Sequence, residues 1–337
     1  MNCKRIVFTR PYTAELCDIE VPAPGANEVL VKLCISSISS GTERANLVGD
    51  PNVSTNPKVD VSFPRYSGYS SSGIVEAVGT DVTDFKPGDR VALSWSTHTQ
   101  YVVRPAYDVH HIPDGCSFEE AALWHIATFP LAAIRKCRLE IGESAIVMGM
   151  GVLGLAAIKL LRAAGATPII AVDPDAAKRE LALAHGADYA FDPFAADFSD
   201  TVRKVTGGGT NVGIEVTGNG PALEGLLNCM AMFGRVALLG CTRDRNFTID
   251  YYRQVHGPGI TLIGAHTNAR PTKESHAGWW TTPDDMEALA RLSSSGRLHL
   301  AELLQETHSP VDAPAVYDRL ANERSFPIVQ FDWRTME

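Results

Sequence analysis

A six-residue glycine motif, Gly149-Met150-Gly151-Val152-Leu153-Gly154, follows the short apolar run 144–148. In such a motif the first glycine permits a tight strand-to-helix turn and the second lets the backbone approach a pyrophosphate. The third lets the helix pack closely on the strand, and the helix N-terminus faces the phosphate charge. The motif therefore predicts a dinucleotide-binding site, with expected contacts at Gly149, Gly151, Val152, Leu153 and Gly154.

An acidic residue, Asp173, ends the next apolar run, 168–172. A carboxylate at this place in a βαβ unit accepts hydrogen bonds from both ribose hydroxyls of NAD and repels the additional phosphate of NADP. A glycine motif alone is weak evidence, because glycines also occupy ordinary turns. Here strand, helix, strand and acid follow in order, so we expect NAD(H) to be favoured over NADP(H) as the cofactor.

These residues need a parallel sheet to position them, and the pattern from residue 119 to residue 265 predicts one. Apolar runs alternate there with helical patterns, which is typical of a doubly wound α/β sheet. The predicted strands are 144–148, 168–172, 212–216, 235–240 and 260–263, and the predicted helices include 155–165, 176–184 and 220–231. Because ligands bind at the carboxyl edge of such a sheet, further cofactor contacts are expected just after strands, at Thr217, Gly218, Gly240 and Ala265.

The segments on either side of this sheet have a different pattern. Residues 1–118 contain short apolar runs between Gly, Pro and Asp, which is typical of a β-rich, barrel-like domain. Residues 266–337 contain amphipathic helices near 284–293 and 314–322, and a last apolar run, 327–331, that we expect to return as a strand to the first domain. The predicted architecture is α/β, with a nucleotide-binding domain at 119–265 inserted into a β-rich domain.

Composition narrows the functional class. The chain has 337 residues, 45% of them hydrophobic, and a formal net charge of -9. This acidity gives no support for binding nucleic acid or an anionic membrane, so we expect a small-molecule substrate. The start, Met1–Arg5, lacks the apolar core of a signal peptide, and the helical apolar stretch 153–161 is too short to span a bilayer. The seven cysteines are scattered without a CxxC pair, which predicts reduced thiols in a cytoplasmic protein.

Several motifs resemble the medium-chain dehydrogenase/reductase superfamily, the alcohol and polyol dehydrogenases, over nearly the whole chain. They are Gly73-Ile74-Val75-Glu76-Ala77-Val78-Gly79, Lys86-Pro87-Gly88-Asp89-Arg90-Val91, Ser117-Phe118-Glu119-Glu120-Ala121-Ala122 and His308-Ser309-Pro310, together with the glycine motif. The resemblance implies a GroES-like catalytic domain at 1–118, a Rossmann domain, and a cleft between them where nicotinamide meets substrate. It also implies that Lys178 lies along the adenosine ribose and that the protein forms a homodimer or homotetramer.

The chain departs from the zinc-dependent members of that superfamily at the expected ligands of the catalytic metal. Alignment places Ser40 at the expected cysteine and Tyr69-Ser70 at the His-Glu pair, and the third ligand position falls near His125. Serine and tyrosine are poor zinc ligands, and the four-cysteine structural zinc lobe is absent. The resemblance therefore implies a zinc-free member. The motifs Gly41-Thr42-Glu43 and Ser67-Gly68-Tyr69 are similar to those of the branch that includes the bacteriochlorophyllide dehydrogenases.

Without a metal, the polar groups at these positions become the candidates for the chemistry. Hydride transfer to a carbonyl leaves negative charge on oxygen, and this charge must be stabilised or protonated. The catalytic candidates are Tyr69, His125, Ser40 and Thr42, the last beside the nicotinamide ribose. Two alternatives stay open. Tyr69 can be a packed aromatic with one satisfied hydroxyl, and His125 can be a buried structural histidine.

Other residues have weaker predicted roles. We expect Glu43 to pair with an arginine, either Arg44 or one from the other domain, rather than with a metal, and His98 to be mainly structural. Candidates for shaping a substrate site are the polar loop 49–64, Trp279 and Trp280, and His266 is a candidate for bordering nicotinamide; each has a plain structural alternative, which for His266 is to cap the preceding strand.

Three functions fit these observations, in order of preference. The first is an NAD(H)-dependent, zinc-independent oxidoreductase acting on a secondary alcohol or ketone, such as a polyol, sugar or cyclic substrate. The second is a zinc-free reductase of enone or quinone C=C bonds, in which hydrogen-bond donors stabilise the enolate oxygen. Many such reductases use NADPH, and Asp173 counts against that cofactor. The third is a non-catalytic nucleotide-binding protein.

Overall fold

The structure is a computed structural model, and it describes residues 2–50, 61–242 and 246–336. The chain forms two compact units. Unit 1 comprises Met1–Ile126 and Met286–Glu337, and unit 2 comprises Ala127–Asp285. Part of the loop predicted at 49–64 lies outside the described residues, since these omit 51–60.

The N-terminal part of unit 1 is a β-rich domain, as the sequence predicts. Its strands are β1 (Asn2–Arg10), β2 (Thr13–Glu20), β3 (Glu28–Ser37), β4 (Arg65–Tyr66), β5 (Ser70–Val78), β6 (Arg90–Ser94), β7 (Tyr101–Pro105) and β8 (Val109–His111), and its helices are α1 (Ser40–Val48), α2 (Phe118–Ala121) and the start of α3 (Trp124–Lys136). The central strand is β3, which pairs antiparallel with both β5 and β7. It is rich in Val, Leu and Ile and buried along most of its length, as expected for a strand with neighbours on both sides.

Unit 2 contains a six-stranded sheet in which all neighbouring strands are parallel. In chain order its elements are β9 (Ala145–Met148), α4 (Val152–Ala163), β10 (Ile169–Val172), α5 (Ala176–Ala184), β11 (Tyr189–Phe191), α6 (Phe198–Thr206), β12 (Thr210–Glu215), α7 (Gly220–Asn228), β13 (Met230–Leu238), β14 (Thr261–Gly264) and the first turn of α8 (Thr282–Ser294), whose remaining residues belong to unit 1. The strand order is β11-β10-β9-β12-β13-β14. Every residue of β9 and β10 is buried, which is typical of a parallel sheet covered by helices on both faces. The predicted fold class is confirmed.

The C-terminal segment of unit 1 contains β15 (Glu306–His308), α9 (Ala313–Asn322) and β16 (Val329–Asp332). The run predicted to return as a strand is β16, which pairs antiparallel with β3. Helix α9 packs into the core of unit 1, where the ring centroid of Tyr317 lies 4.9 Å from that of Phe8. Unit 1 is thus built from both ends of the chain.

The units divide at different places from the predicted boundaries, 118/119 and 265/266. Helix α2 belongs to unit 1, because the Glu120 carboxylate accepts hydrogen bonds from Ser293 Oγ (2.7 Å) and Ala301 N (2.6 Å). Residues 266–285 belong to unit 2, because the buried Asp285 carboxylate pairs with Arg135 (2.8 Å) and Arg270 (3.4 Å). These long-range contacts leave no signature in the local pattern.

Among the helices in the described ranges, none is long and apolar enough to cross a bilayer. All seven cysteines carry free thiols.

Candidate functional site

The glycine motif forms the turn between β9 and α4, and its three glycines are required for different reasons. Gly149 has a φ of +97°, a conformation that favours glycine. A Cβ on Gly154 would lie 1.8 Å from the Gly149 carbonyl oxygen, so this residue lets the helix approach the strand. A Cβ on Gly151 would meet nothing within 4 Å. Gly151 therefore borders open space at the N-cap of α4, where the amides of Val152 and Leu153 begin the helix. This cradle fits a pyrophosphate.

Asp173 directly follows β10 and connects this strand to the glycine motif. Its Oδ2 accepts a hydrogen bond from Met150 N (2.8 Å) and its Oδ1 accepts one from Asp175 N (2.9 Å). Each carboxylate oxygen can accept a second hydrogen bond, so these contacts are compatible with ribose binding. Lys178 lies in the first turn of α5 and is half-buried. The hydrogen bond from Met150 N to Asp173 stabilises the glycine turn, a role of Asp173 that the sequence does not show.

The ends of β12, β13 and β14 bring the other predicted cofactor contacts to the same carboxyl edge of the sheet. Thr217 N (2.7 Å) and Gly218 N (2.9 Å) donate to the buried Glu215 carboxylate, whose pKa is raised by burial. A Cβ on Gly240 would lie 2.2 Å from Gly218 N, so the turns after β12 and β13 touch. Ala265, just after β14, is buried and donates from its amide to a carbonyl of β13. The structure thus brings these predicted contacts together within unit 2.

In unit 1, the structure brings Tyr69 and His125 together. Their ring centroids are 5.8 Å apart in an edge-on arrangement, and Trp95 lies 4.6 Å from His125 and 6.2 Å from Tyr69. His125 is fully buried. The Tyr69 hydroxyl donates a hydrogen bond to Ser39 Oγ. We refer to Ser39, Tyr69, Trp95 and His125 as the Tyr69 cluster.

The other two predicted catalytic residues lie on the first turn of α1. Ser40 is its first residue and is half-buried, and Thr42 is exposed with its carbonyl accepting from the Asn46 side chain (2.9 Å). The serine that accepts a hydrogen bond from Tyr69 is therefore Ser39, one residue before the serine predicted by alignment. Sequence reasoning missed Ser39 and Trp95. Ser39 could have been found from the sequence, because serine is a preferred residue at a helix N-cap.

Glu43 has different partners from those predicted. It is buried, and its carboxylate accepts hydrogen bonds from Ser39 N (2.8 Å) and Tyr317 OH (2.5 Å) and lies 3.1 Å from His98 Nε2. Arg44 instead donates to a backbone carbonyl of α9. The predicted arginine pair is wrong: the Glu43 carboxylate contacts the side chains of Tyr317 and His98 instead of an arginine.

Both new partners of Glu43 are themselves buried. Burial and the nearby carboxylate raise the pKa of Tyr317, so its phenol remains a hydrogen-bond donor. His98 Nδ1 lies 2.7 Å from Ser36 Oγ, which gives both ring nitrogens of His98 a partner and agrees with its predicted structural role.

The residues at the expected zinc positions do not suit zinc. The Tyr69 hydroxyl donates to Ser39, and Ser70 Oγ donates to the Ala122 carbonyl (2.6 Å). Over residues 2–50, 61–242 and 246–336, no cluster of three or more His, Cys, Asp or Glu side chains could hold a metal ion. A hydroxyl, a phenol and one imidazole are poor substitutes for the thiolate, imidazole and carboxylate ligands that zinc prefers.

The predicted substrate-site residues of unit 2 have local roles. The guanidinium carbon of Arg135 lies 3.6 Å from the Trp280 ring centroid, and Lys136 Nζ lies 4.7 Å from that of Trp279. Burial and Lys136 lower the pKa of His266. These contacts favour the structural alternative for both tryptophans, which pack on cations of unit 2.

Sequence profiles of two protein families match the chain. The profile described as alcohol dehydrogenase GroES-like domain matches residues 25–114, and the one described as zinc-binding dehydrogenase matches residues 152–279. The first covers about half of unit 1 and the second covers most of unit 2. The chain belongs to the medium-chain dehydrogenase/reductase superfamily. It is an oxidoreductase of the alcohol and polyol dehydrogenase type.

Among its relatives, the chain is 26% identical to D-guloside 3-dehydrogenase of Escherichia coli K12, covering 93% of this chain and 95% of the relative. It is 29% identical to L-threonine 3-dehydrogenase of Pyrococcus abyssi, covering 91% and 92%. A zinc-binding dehydrogenase from Sinorhizobium meliloti, crystallised with NADP, has the same fold with a TM-score of 0.82, 21% identity and coverage of 98% and 99%.

Proposed function

We propose that this protein is an NAD(H)-dependent, zinc-independent dehydrogenase that interconverts a secondary alcohol and a ketone, with a polyol, sugar or cyclic compound as substrate. The observation that carries the proposal is the Tyr69 cluster: Tyr69 and His125, which alignment places at or near expected zinc-ligand positions, lie together, and the Tyr69 phenol is hydrogen-bonded to the hydroxyl of Ser39. The two relatives named above support the substrate class, since their names describe oxidation at a hydroxyl-bearing carbon.

In this proposal the nicotinamide supplies or accepts the hydride, and unit 1 handles the proton. When a ketone is reduced, hydride addition to its carbonyl carbon leaves an alkoxide, and the Tyr69 hydroxyl donates its proton to that oxygen. In the oxidation direction the same oxygen of Tyr69 accepts the alcohol proton. His125 is the alternative acid, because an imidazole titrates near working pH. Its complete burial between two aromatic rings favours a supporting role behind Tyr69.

The proposed preference for NAD(H) rests on Asp173 and on the hydrogen bonds of the neighbouring Arg179. Arg179 is the guanidinium next to Asp173, where an NADP-binding protein would use a cation for the additional phosphate. Here it donates to the Asp173 carbonyl (2.8 Å) and the Pro174 carbonyl (2.9 Å). Asp173→Ala should weaken NADH binding by tens of fold and NADPH binding much less, which fluorescence titration measures. Tighter binding of NADPH than NADH by the native protein would contradict the assignment.

The activity itself is tested with protein dialysed against EDTA and supplied with NADH and matched panels of ketones and enones. Reduction of ketones to alcohols, with loss of turnover in Tyr69→Phe at unchanged NADH affinity, is the expected result. His125→Ala serves as the comparison that assigns the proton donor. Reduction of enones to saturated ketones would favour the second candidate, a C=C reductase in which Tyr69 and Ser39 stabilise an enolate. Activity that requires added zinc would contradict the metal-free proposal.

The superfamily resemblance and the free thiols lead us to propose further that the protein is a cytoplasmic homodimer or homotetramer. Light scattering coupled to size-exclusion chromatography tests the assembly, and a monomer at micromolar concentration would contradict it.

A further inference from the structure

The Tyr69 hydroxyl forms a hydrogen bond at the N-terminus of helix α1. Its partner, Ser39, is the N-cap residue of α1, but the Ser39 side chain makes no capping hydrogen bond to the helix. Ser39 is 3% exposed. A serine at this position usually caps the helix with its own oxygen. Here that oxygen accepts the hydrogen bond of a candidate catalytic phenol instead.

The Glu43 side chain accepts a hydrogen bond at the start of α1 and thereby fixes Ser39. Its Oε1 accepts from Ser39 N at 2.8 Å, while its Oε2 is held by Tyr317 OH (2.5 Å) and His98 Nε2 (3.1 Å). His98 in turn contacts Ser36 Oγ, which accepts from Trp333 Nε1 at 2.8 Å. The carboxylate that positions Ser39 is therefore held by two side chains that are far apart in the sequence, those of His98 and Tyr317.

His98 also supports Tyr69 from the other side. Its backbone N donates to the Ser67 carbonyl at 3.0 Å. Gly68 has a φ of +89°, and a Cβ there would lie 2.7 Å from His98 Cδ2, so the imidazole packs directly on the backbone that precedes Tyr69. One buried histidine thus fixes both the segment that carries the phenol and, through Glu43, the serine that receives its hydrogen bond.

We infer that Ser39 is a positioning residue for Tyr69, and that Glu43 and His98 hold it in place. The inference rests on the proposed function. In ketone reduction the Tyr69 proton moves to the substrate alkoxide, leaving a phenolate. The Ser39 hydroxyl, which can rotate, then donates its hydrogen to the phenolate oxygen while keeping its own O–H bond. A proton from solvent later restores the phenol. One hydride and one proton are consumed, and Ser39 remains neutral.

Such a hydrogen bond stabilises the phenolate, and the N-terminus of α1 adds to this effect. Among the residues that the structure describes, His125 contacts the Tyr69 ring edge-on, the Glu43 carboxylate accepts from Ser39 N, and the His98 ring packs behind Gly68. Removal of the Ser39 hydroxyl should therefore change the ionisation of Tyr69 specifically, whereas a purely structural serine would affect only folding.

The test compares Ser39→Ala with Ser72→Ala in the full-length protein. Ser72 is a matched control, because it is equally buried and its hydroxyl donates to a carbonyl of α2 away from Tyr69. In Ser39→Ala we expect kcat for ketone reduction to fall about tenfold or more, and the alkaline limb of the pH profile to move about one unit or more to higher pH. The KM for NADH should not change. Ser39→Thr, which keeps a hydroxyl, should restore most of the activity.

A second readout needs no substrate. In protein labelled with 13Cζ-tyrosine, the Tyr69 resonance is identified by its loss in Tyr69→Phe, and its titration midpoint should move to higher pH in Ser39→Ala but not in Ser72→Ala. If ketones are not turned over by any variant, the proposed function fails while this measurement still tests the contact. An unchanged Tyr69 titration, or loss of turnover in Ser40→Ala but not in Ser39→Ala, would overturn the inference.

Discussion

The glycine motif of unit 2 and the Tyr69 cluster of unit 1 are built in opposite ways. The first is a continuous stretch, 149–154, whose function depends on backbone conformation and space. Gly149 has a positive φ, Gly154 lies close to the Gly149 carbonyl, and Gly151 borders open space. The second gathers side chains between residues 39 and 125 and depends on Glu43 and His98 behind them. A backbone site is encoded in consecutive residues, whereas a side-chain site is encoded in tertiary contacts.

The two constructions should fail differently when they are altered. In the glycine motif, one added methyl group collides with backbone that cannot move aside. In the Tyr69 cluster, a removed side chain leaves buried donors without an acceptor, and the loss is shared among several contacts. Substitutions at the two sites therefore separate steric failure from loss of hydrogen bonding.

The largest effect on NADH affinity is expected for Gly154→Ala. Its Cβ would lie 1.8 Å from the Gly149 carbonyl oxygen, so α4 must move away from the turn. We expect NADH affinity to fall at least about 100-fold and the free energy of unfolding to fall by about 1–3 kcal/mol, as for other overpacked sites. Isothermal titration with NADH and urea denaturation measure the two effects. Native-like affinity would show that the turn is not the pyrophosphate cradle.

Gly151→Ala is the matched control for steric failure. A Cβ there meets no protein atom within 4 Å, so the free energy of unfolding should change by less than about 1 kcal/mol. NADH affinity should nevertheless fall about tenfold or more, because the methyl group occupies the space through which the backbone contacts the pyrophosphate. A variant that is stable and binds NADH normally would place the nucleotide elsewhere.

The same contrast explains what the sequence could predict. Helix α5 was predicted at 176–184 and lies at Ala176–Ala184, and the glycine turn follows from its six residues. Strand β11 was missed because it has only three residues, and α6 was missed because its helical face buries only Phe198 and Val202. Local patterns thus predict the Rossmann sheet well, except where an element is short or mostly polar.

Prediction of the Tyr69 cluster was less complete for a physical reason. Alignment predicts Tyr69, His125 and Ser40 as catalytic residues, but in the structure the serine that contacts Tyr69 is Ser39. Which serine faces Tyr69 depends on where α1 starts, and a one-residue difference rotates a helical side chain by about 100°. The partners of Glu43 come from residues 98 and 317, a separation that no local pattern can show.

The largest effect on the free energy of unfolding is expected for Glu43→Ala. This change leaves Ser39 N, Tyr317 OH and His98 Nε2 without their buried acceptor, so we expect the free energy of unfolding to fall by about 3–5 kcal/mol. Urea denaturation at pH 7 measures it. Tyr317→Phe removes one of these donors and should cost about 1–2 kcal/mol. Equal losses in the two variants would mean that the phenol, rather than the network around the carboxylate, accounts for the stability.

The smallest expected effect on stability concerns Glu215. Its carboxylate accepts hydrogen bonds from the turn after β12, in the predicted nucleotide site. Burial raises its pKa above 4.5, the ordinary value, so the folded state keeps the proton to higher pH than the unfolded state. As pH rises from 4.5 through the folded-state pKa, unfolding releases a proton, and the contribution of Glu215 to stability falls. Glu215→Gln does not titrate. The wild type should therefore lose stability relative to this variant across that window, by about 1.4 kcal/mol for each unit of elevation.

Glu306→Gln provides the control of opposite sign in the same urea titrations. Hydrogen bonds from Arg319 and His308 lower the pKa of Glu306 to about 2, so its contribution is present above 4.5 and is lost as pH falls towards 2. Its side chain is 32% exposed, and solvent screening should keep this effect small. Opposite slopes for the two glutamates would show that the support of the Thr217–Gly218 turn costs stability at neutral pH. Parallel slopes would mean that the fold lowers the pKa of Glu215 as it lowers that of Glu306, so that hydrogen bonds to the carboxylate outweigh its burial and the prediction is wrong.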